Sequence, residues 1–166
     1  TPLKAMFTMP VTEPRGSVLI LQGSGNVDLD GDVSSPFLGN GYKGQQAKLS
    51  QQLARTLAEN GIASLRFSKR GVDDANQLIN QTMPYLIKDA QTALNTLKAQ
   101  FSETKTALLG LSEGALIATT LATTNHLDGL FLLGTPTRSI DDILAYQFLE
   151  WPVTLAKQAF DHNNDG

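Results

Sequence analysis

Short apolar runs alternate along this chain with longer segments in which apolar residues recur at helical spacing. The strand-like runs lie at 3–9, 17–21, 62–67, 106–109 and 127–133. The helix-like segments lie at 45–59, 84–101 and 115–122. The run at 17–21 is almost entirely apolar, which indicates a strand buried on both faces. Alternating strands and helices predict an α/β fold whose mostly parallel sheet is covered by helices on both faces.

Composition narrows the class of protein. The 166 residues are 41% hydrophobic, which suits a globular core, and their formal net charge of −3 argues against a nucleic-acid partner. The chain has no cysteine, which excludes disulfides and a thiolate nucleophile. No apolar stretch reaches the length of a membrane span. The chain begins at Thr1 and not at a methionine, so we expect either a removed export leader or an excised segment of a longer protein. The cellular compartment is therefore not predicted.

The clearest chemical motif is Gly-Leu-Ser-Glu-Gly at 110–114, between a strand-like run and a helix-like run. G-x-S-x-G in this context is typical of a nucleophile elbow. The turn is so tight that strand and helix nearly touch, which requires small residues two before and two after the serine. Ser112 is therefore the predicted nucleophile, exposed beside backbone N–H groups at a helix N-terminus. The alternative is a glycine-rich turn whose serine has no catalytic role.

A glycine-rich segment at 22–26, directly after the strand at 17–21, predicts a second part of the site. Acyl transfer needs two N–H donors aimed at the developing oxyanion. In a nucleophile-elbow fold, one donor belongs to the residue after the serine, here Glu113, and the other to the loop after the neighbouring strand. The candidate second donor is the N–H of Ser24, with Gly25 as the alternative. The other interpretation is an ordinary glycine turn.

Most of the chain from 3 to 144 resembles the α/β-hydrolase family, in particular bacterial esterase-like members. Residues 22–31 resemble the family's oxyanion loop, GSGPTDRDG, and residues 53–67 resemble its helix A and the strand that follows. Residues 68–71 resemble a DKRG turn, and residues 110–115 resemble a GHSEGA elbow. The chain departs from these patterns at Gln22 and Leu111, which replace histidines, and at Ser68, which replaces an acidic residue. The resemblance implies a partial α/β-hydrolase fold. It also implies hydrolysis of a small-molecule carboxylic ester through a Ser112 acyl-enzyme, with no cofactor required for catalysis.

A serine nucleophile needs a histidine to take its proton and an acid to orient that histidine. The chain has two histidines. His126 precedes the strand at 127–133, at the end of the sheet opposite to Ser112, and His162 lies in the polar C-terminal segment. We therefore expect the N-terminal part of a hydrolase, with the triad acid and histidine beyond Gly166 and no activity in this chain alone. The alternative is a non-catalytic or calcium-responsive hydrolase-like module.

The C-terminal residues match the opening of an EF-hand loop, D-x-N-x-D-G. Asp161, Asn163 and Asp165 would be the first three calcium ligands, and the remaining ligands would follow the chain's last glycine. The alternative is a hydrophilic, disordered terminus. The predicted organisation is the N-terminal part of an α/β-hydrolase core at 1–145, followed at 146–166 by the start of a lid or insertion that carries the half-loop.

Two further features concern partners. The strand at 127–133 is too apolar for an open sheet edge, so we expect self-association or binding to the remainder of the same chain. The segment at 39–44 reads G-x-G-x-x-G before a helix. No strand directly precedes it, so we assign no dinucleotide site.

Overall fold

The computed structural model describes residues 2–33 and 47–160. The chain divides into two compact units, the first ending at Thr135 and the second beginning at Pro136. The boundary expected from the sequence, between 145 and 146, stays a prediction. The G-x-G-x-x-G segment and the calcium ligands expected from the sequence, Asp161, Asn163 and Asp165, lie outside the described residues.

A five-stranded sheet forms the centre of the first unit. Its strands are β1 (Ala5–Thr8), β2 (Gly16–Leu21), β3 (Ala63–Phe67), β4 (Lys105–Leu111) and β5 (Gly129–Leu133). Their order across the sheet is β1-β3-β2-β4-β5. β1 runs antiparallel to β3, whereas the other three neighbouring pairs are parallel. The mostly parallel sheet confirms the fold class predicted from the sequence.

The described residues contain five α-helices. They are α1 (Leu49–Glu59), α2 (Met83–Gln100), α3 (Glu113–Ala122), α4 (Ile140–Ala145) and α5 (Trp151–Phe160). α2 carries Pro84 in its first turn, where the fixed φ of proline suits a helix start. A 3-10 helix at Ala75–Asn80 and a π-helical segment at Tyr146–Glu150 were not predicted, because neither shows a distinct apolar period.

The central strand β2 packs against helices on both of its faces. Leu19 and Leu21 belong to an apolar cluster that includes residues of α2 and α3. Val18 and Ile20 belong to a second cluster that includes residues of α1. Since side chains alternate along a strand, an apolar run is what burial on both faces requires. Helices therefore cover both faces of the sheet, as the sequence predicted.

β5 lies at one edge of the sheet formed by the described strands. It pairs with β4 in parallel from Gly129 to Leu133. Its apolar side chains are exposed, and Phe131 has 55% of its surface accessible. The strand that the sequence predicted to be too apolar for an open edge thus exposes four large apolar side chains, from Leu130 to Leu133.

The second unit is helical. At the start of α4, the Ser139 hydroxyl accepts a hydrogen bond of 3.1 Å from the N–H of Asp142, which is a helix N-cap. The rings of Tyr146 and Trp151 stack with their centroids 6.1 Å apart. None of the helices within 2–33 and 47–160 combines the length and apolar character needed to cross a bilayer.

Candidate active site

Ser112 occupies a strained turn between β4 and α3. Its φ of 51° and ψ of −115° lie in a region that residues with a side chain rarely adopt. Such a conformation costs of order 1–3 kcal/mol and is typical of functional sites. β4 ends at Leu111 and α3 begins at Glu113, two residues earlier than the sequence predicted, so Ser112 alone makes the turn. The side chain is exposed.

The two glycines of the motif lie where no side chain fits. A Cβ atom on Gly110 would lie 2.5 Å from the carbonyl oxygen of Gly114 and 2.6 Å from the Cα atom of Ala115. A Cβ atom on Gly114 would lie 2.2 Å from the carbonyl oxygen of Leu21. The start of α3 is therefore in backbone contact both with its own strand and with the end of β2.

The loop after β2 passes directly beside the serine. A Cβ atom on Gly23 would lie 3.5 Å from the Cβ atom of Ser112 and 3.5 Å from the carbonyl oxygen of Leu111. Ser24 and Gly25 follow at once, and Gly25 has a φ of 93°. The structure thus brings together the two segments expected to supply the oxyanion donors. The individual roles of Glu113, Ser24 and Gly25 stay predictions.

The loop is held in shape by its own polar groups. The Asp28 carboxylate accepts hydrogen bonds from the backbone N–H groups of Asp30, Gly31 and Asp32, at 2.9, 3.0 and 3.0 Å. Gln22, only 6% exposed, donates its side-chain N–H to the Asp28 carbonyl oxygen. The Gln22 side-chain oxygen is buried and has no hydrogen-bond partner among the described residues.

Sequence reasoning assigned no role to Lys69, which lies at the centre of this site. Its side chain is buried, donates a hydrogen bond of 2.7 Å to the Gly23 carbonyl oxygen, and forms an ion pair with the Glu113 carboxylate. The position after the strand end, in a Lys-Arg pair, was visible in the sequence. Its partners were not, because they lie 46 and 44 residues away along the chain.

The neighbouring cation, Arg70, has a separate partner. It makes two hydrogen bonds with the Asp89 carboxylate, at 2.7 and 2.5 Å, and lies over the Tyr85 ring. The hydrogen bond to Asp89 raises the pKa of Arg70 above its ordinary value. The serine at position 68 therefore leaves neither cation unpaired, because each finds a carboxylate on a different helix.

His126 is exposed and lies far from Ser112. Asp128, two residues on, bonds through its backbone and its carboxylate to Thr106, at the beginning of β4. Ser112 follows the other end of β4, about 20 Å away for a strand of seven residues. This confirms the prediction that His126 is out of reach.

His162 lies outside the described residues, and within them no group of three or more histidine, aspartate or glutamate side chains could hold a metal ion.

The mostly parallel sheet, the serine elbow after β4 and the glycine loop after β2 define an α/β hydrolase. The chain belongs to the family described as serine aminopeptidase, S33, which matches residues 38–163. The oxyanion loop expected at 22–31 lies before the matched residues.

Known proteins with esterase and lipase names are similar to this chain. It is 26% identical over 143 residues to Esterase EstD of Thermotoga maritima, covering 82% of this chain and 32% of that protein. A thermostable carboxyl esterase from Bacillus coagulans superposes with a TM-score of 0.65 at 20% identity, covering 93% of this chain and 47% of that one. A soluble variant of monoglyceride lipase from Saccharomyces cerevisiae gives 0.55 at 20% identity, with coverages of 95% and 49%. The structural likenesses show a shared fold, and the chain spans half or less of each of these proteins.

Proposed function

We propose that this chain carries the nucleophile and the oxyanion-hole segments of a serine hydrolase that acts on small-molecule carboxylic esters. The observation that carries the proposal is the strained, exposed Ser112 with the Gly23 loop against its Cβ atom. Strain at a residue with a side chain persists only where the surrounding structure enforces it, and it concentrates at active sites. The names of the similar proteins support an ester over other acyl substrates.

In this mechanism, the Ser112 Oγ attacks the ester carbonyl carbon while its proton passes to a general base. The carbonyl oxygen becomes an oxyanion, which accepts hydrogen bonds from the N–H groups of Glu113 and Ser24. Collapse expels the alcohol, which takes the proton, and leaves an acyl group on Ser112. Water then attacks this acyl-enzyme by the same route and releases the carboxylic acid.

The base and its acid partner would come from residues outside the described part of the chain. Two observations support this. Within 2–33 and 47–160, the one histidine lies at the wrong end of the sheet, and the similar proteins are two to three times longer than their matched regions. In this fold, the triad acid and histidine follow the serine in chain order.

The test is hydrolysis of p-nitrophenyl acetate by the whole protein and by its Ser112→Ala variant. Removing the nucleophile of a triad should lower kcat by roughly 10⁴-fold or more. Ser102→Ala is the matched control, because Ser102 is an exposed residue in the turn that follows α2. Undiminished turnover by Ser112→Ala would contradict the proposal. Faster cleavage of an amino-acid p-nitroanilide than of the ester would contradict the assignment to esters.

A further inference from the structure

A single buried ammonium group connects the two segments expected to supply the oxyanion donors. The Lys69 side chain is 6% exposed, and its Nζ donates a hydrogen bond of 2.7 Å to the carbonyl oxygen of Gly23 in the loop after β2. The same Nζ forms an ion pair with the carboxylate of Glu113, the residue after the serine. One cation therefore contacts both residues that border the expected oxyanion hole.

The contact with Gly23 fixes the direction of one N–H group. The Gly23 carbonyl and the Ser24 N–H belong to the same planar trans peptide, so they point in opposite directions. While Lys69 holds the carbonyl oxygen, the Ser24 N–H must face away from Lys69. Within residues 2–33 and 47–160, no backbone carbonyl oxygen accepts a hydrogen bond from this N–H. If the Ser24 N–H is the second oxyanion donor, a flip of this peptide would turn a carbonyl oxygen toward the developing negative charge in its place.

Three features around Lys69 favour a fixed orientation of this peptide. Gly23 has no side chain that would restrict its own rotation, so the peptide needs an external partner. A charged donor makes a stronger hydrogen bond than a neutral one. Glu113 balances the charge, which a buried ammonium requires. The backbone N–H of Lys69 also donates to the carbonyl oxygen of Val27, at 3.1 Å, so a change of side chain leaves the loop attached to the segment that follows β3.

We propose that Lys69 is a positioning residue for the oxyanion hole. Its ammonium group holds the Gly23–Ser24 peptide in the orientation that presents the Ser24 N–H, and its ion pair with Glu113 keeps the ammonium in place. This inference rests on the proposed function.

The first variant to test is Lys69→Met in the whole protein, with kcat and KM measured on p-nitrophenyl acetate. An oxyanion hole acts on the transition state more than on the bound ester, so kcat should fall while KM changes little. We expect a loss of at least about tenfold in kcat, up to the ~10²–10³-fold that complete loss of one donor causes. Arg70→Met is the matched control, because that cation is bound by Asp89 and not by the loop. It should keep kcat nearly unchanged.

The double variant Lys69→Met/Glu113→Gln separates positioning from stability. Lys69→Met alone leaves the Glu113 carboxylate without its cation, which destabilises the fold and could prevent folding. Glu113→Gln removes that unpaired charge, so the double variant should regain thermal stability. The Gly23 carbonyl oxygen would still lack its charged donor, so kcat should stay low.

The outcomes are distinct. Low kcat with unchanged KM in both Lys69 variants supports the inference. Wild-type kcat in Lys69→Met, or recovery of kcat together with stability in the double variant, overturns it and leaves Lys69 a purely structural residue. Ser112→Ala is assayed alongside. If that variant stays active, the proposed function fails, whatever the Lys69 variants show.

Discussion

The first turn of α3 lies directly on the end of β2, because a Cβ atom on Gly114 would be 2.2 Å from the carbonyl oxygen of Leu21. This backbone contact places the elbow and the loop after β2 next to each other. It accounts for the proximity of Gly23 to Ser112. The second glycine of G-x-S-x-G therefore sets the distance between two parts of the candidate site.

Gly114→Ala should strongly destabilise the protein. The added methyl group would meet backbone atoms that cannot move aside, and overpacking costs about 1–3 kcal/mol or more. Urea denaturation gives the change in the free energy of unfolding. Gly16→Ala is the control, since a Cβ atom there would lie 3.5 Å from the Lys105 carbonyl oxygen, an ordinary contact. Equal stability of the two variants would show that the close approach at Gly114 is not a constraint.

Residues 1–166 by themselves should turn over p-nitrophenyl acetate no faster than their Ser112→Ala variant. The reason is that His126 lies at the end of the sheet opposite to Ser112, and that we expect the triad histidine beyond Gly166. Triad members act as a unit, so a serine without its base loses most of their shared effect. A fluorophosphonate probe is the check. Rapid labelling of Ser112 in this short chain would show that a base for Ser112 lies within residues 1–166.

The same residues should self-associate through the apolar edge formed by β5. An exposed edge strand offers unpaired backbone groups together with apolar side chains, which favours pairing with a second copy. Phe131→Lys should weaken the association, whereas Val11→Lys, at a fully exposed position outside β5, should not. Sedimentation at low concentration measures the mass. A single species of monomer mass that melts cooperatively would refute the expectation.

Calcium binding is expected only where the half-loop that begins at Asp161 is continued by further oxygen ligands. Complete EF-hand loops of sensor proteins bind calcium with a Kd of about 10⁻⁷–10⁻⁵ M. Calorimetric titration of a protein extended beyond Gly166 is the measurement, with Asp161→Ala as the control. If titration releases no heat and calcium does not shift the melting temperature, the motif is a polar segment that does not bind calcium.

The elements that could be predicted from the sequence are those whose residue patterns lie within a few neighbouring positions. The apolar run in β2 indicated burial on both faces, and Leu19 and Ile20 do pack on opposite sides. The glycines at 110 and 114 indicated a close approach of strand and helix, which the structure shows. These predictions succeeded because spacing and side-chain size act over a few residues.

Long-range relationships could not be predicted. The pattern of β1 gave no strand direction, so its antiparallel pairing with β3 was not foreseen. Lys69 was visible as one of two adjacent cations, but its ion pair with Glu113 depends on how β3 and α3 meet in the fold. The 3-10 helix at Ala75–Asn80 lacks an apolar period and gave no signal.

The nucleophile is identified most directly by a mass spectrum of the whole protein after brief exposure to a fluorophosphonate, with the modified peptide mapped. We predict one covalent adduct per chain, located on Ser112 and absent from Ser112→Ala. An unmodified protein that still hydrolyses p-nitrophenyl acetate, or an adduct on another residue with Ser112 intact, would contradict the claim that Ser112 is the nucleophile.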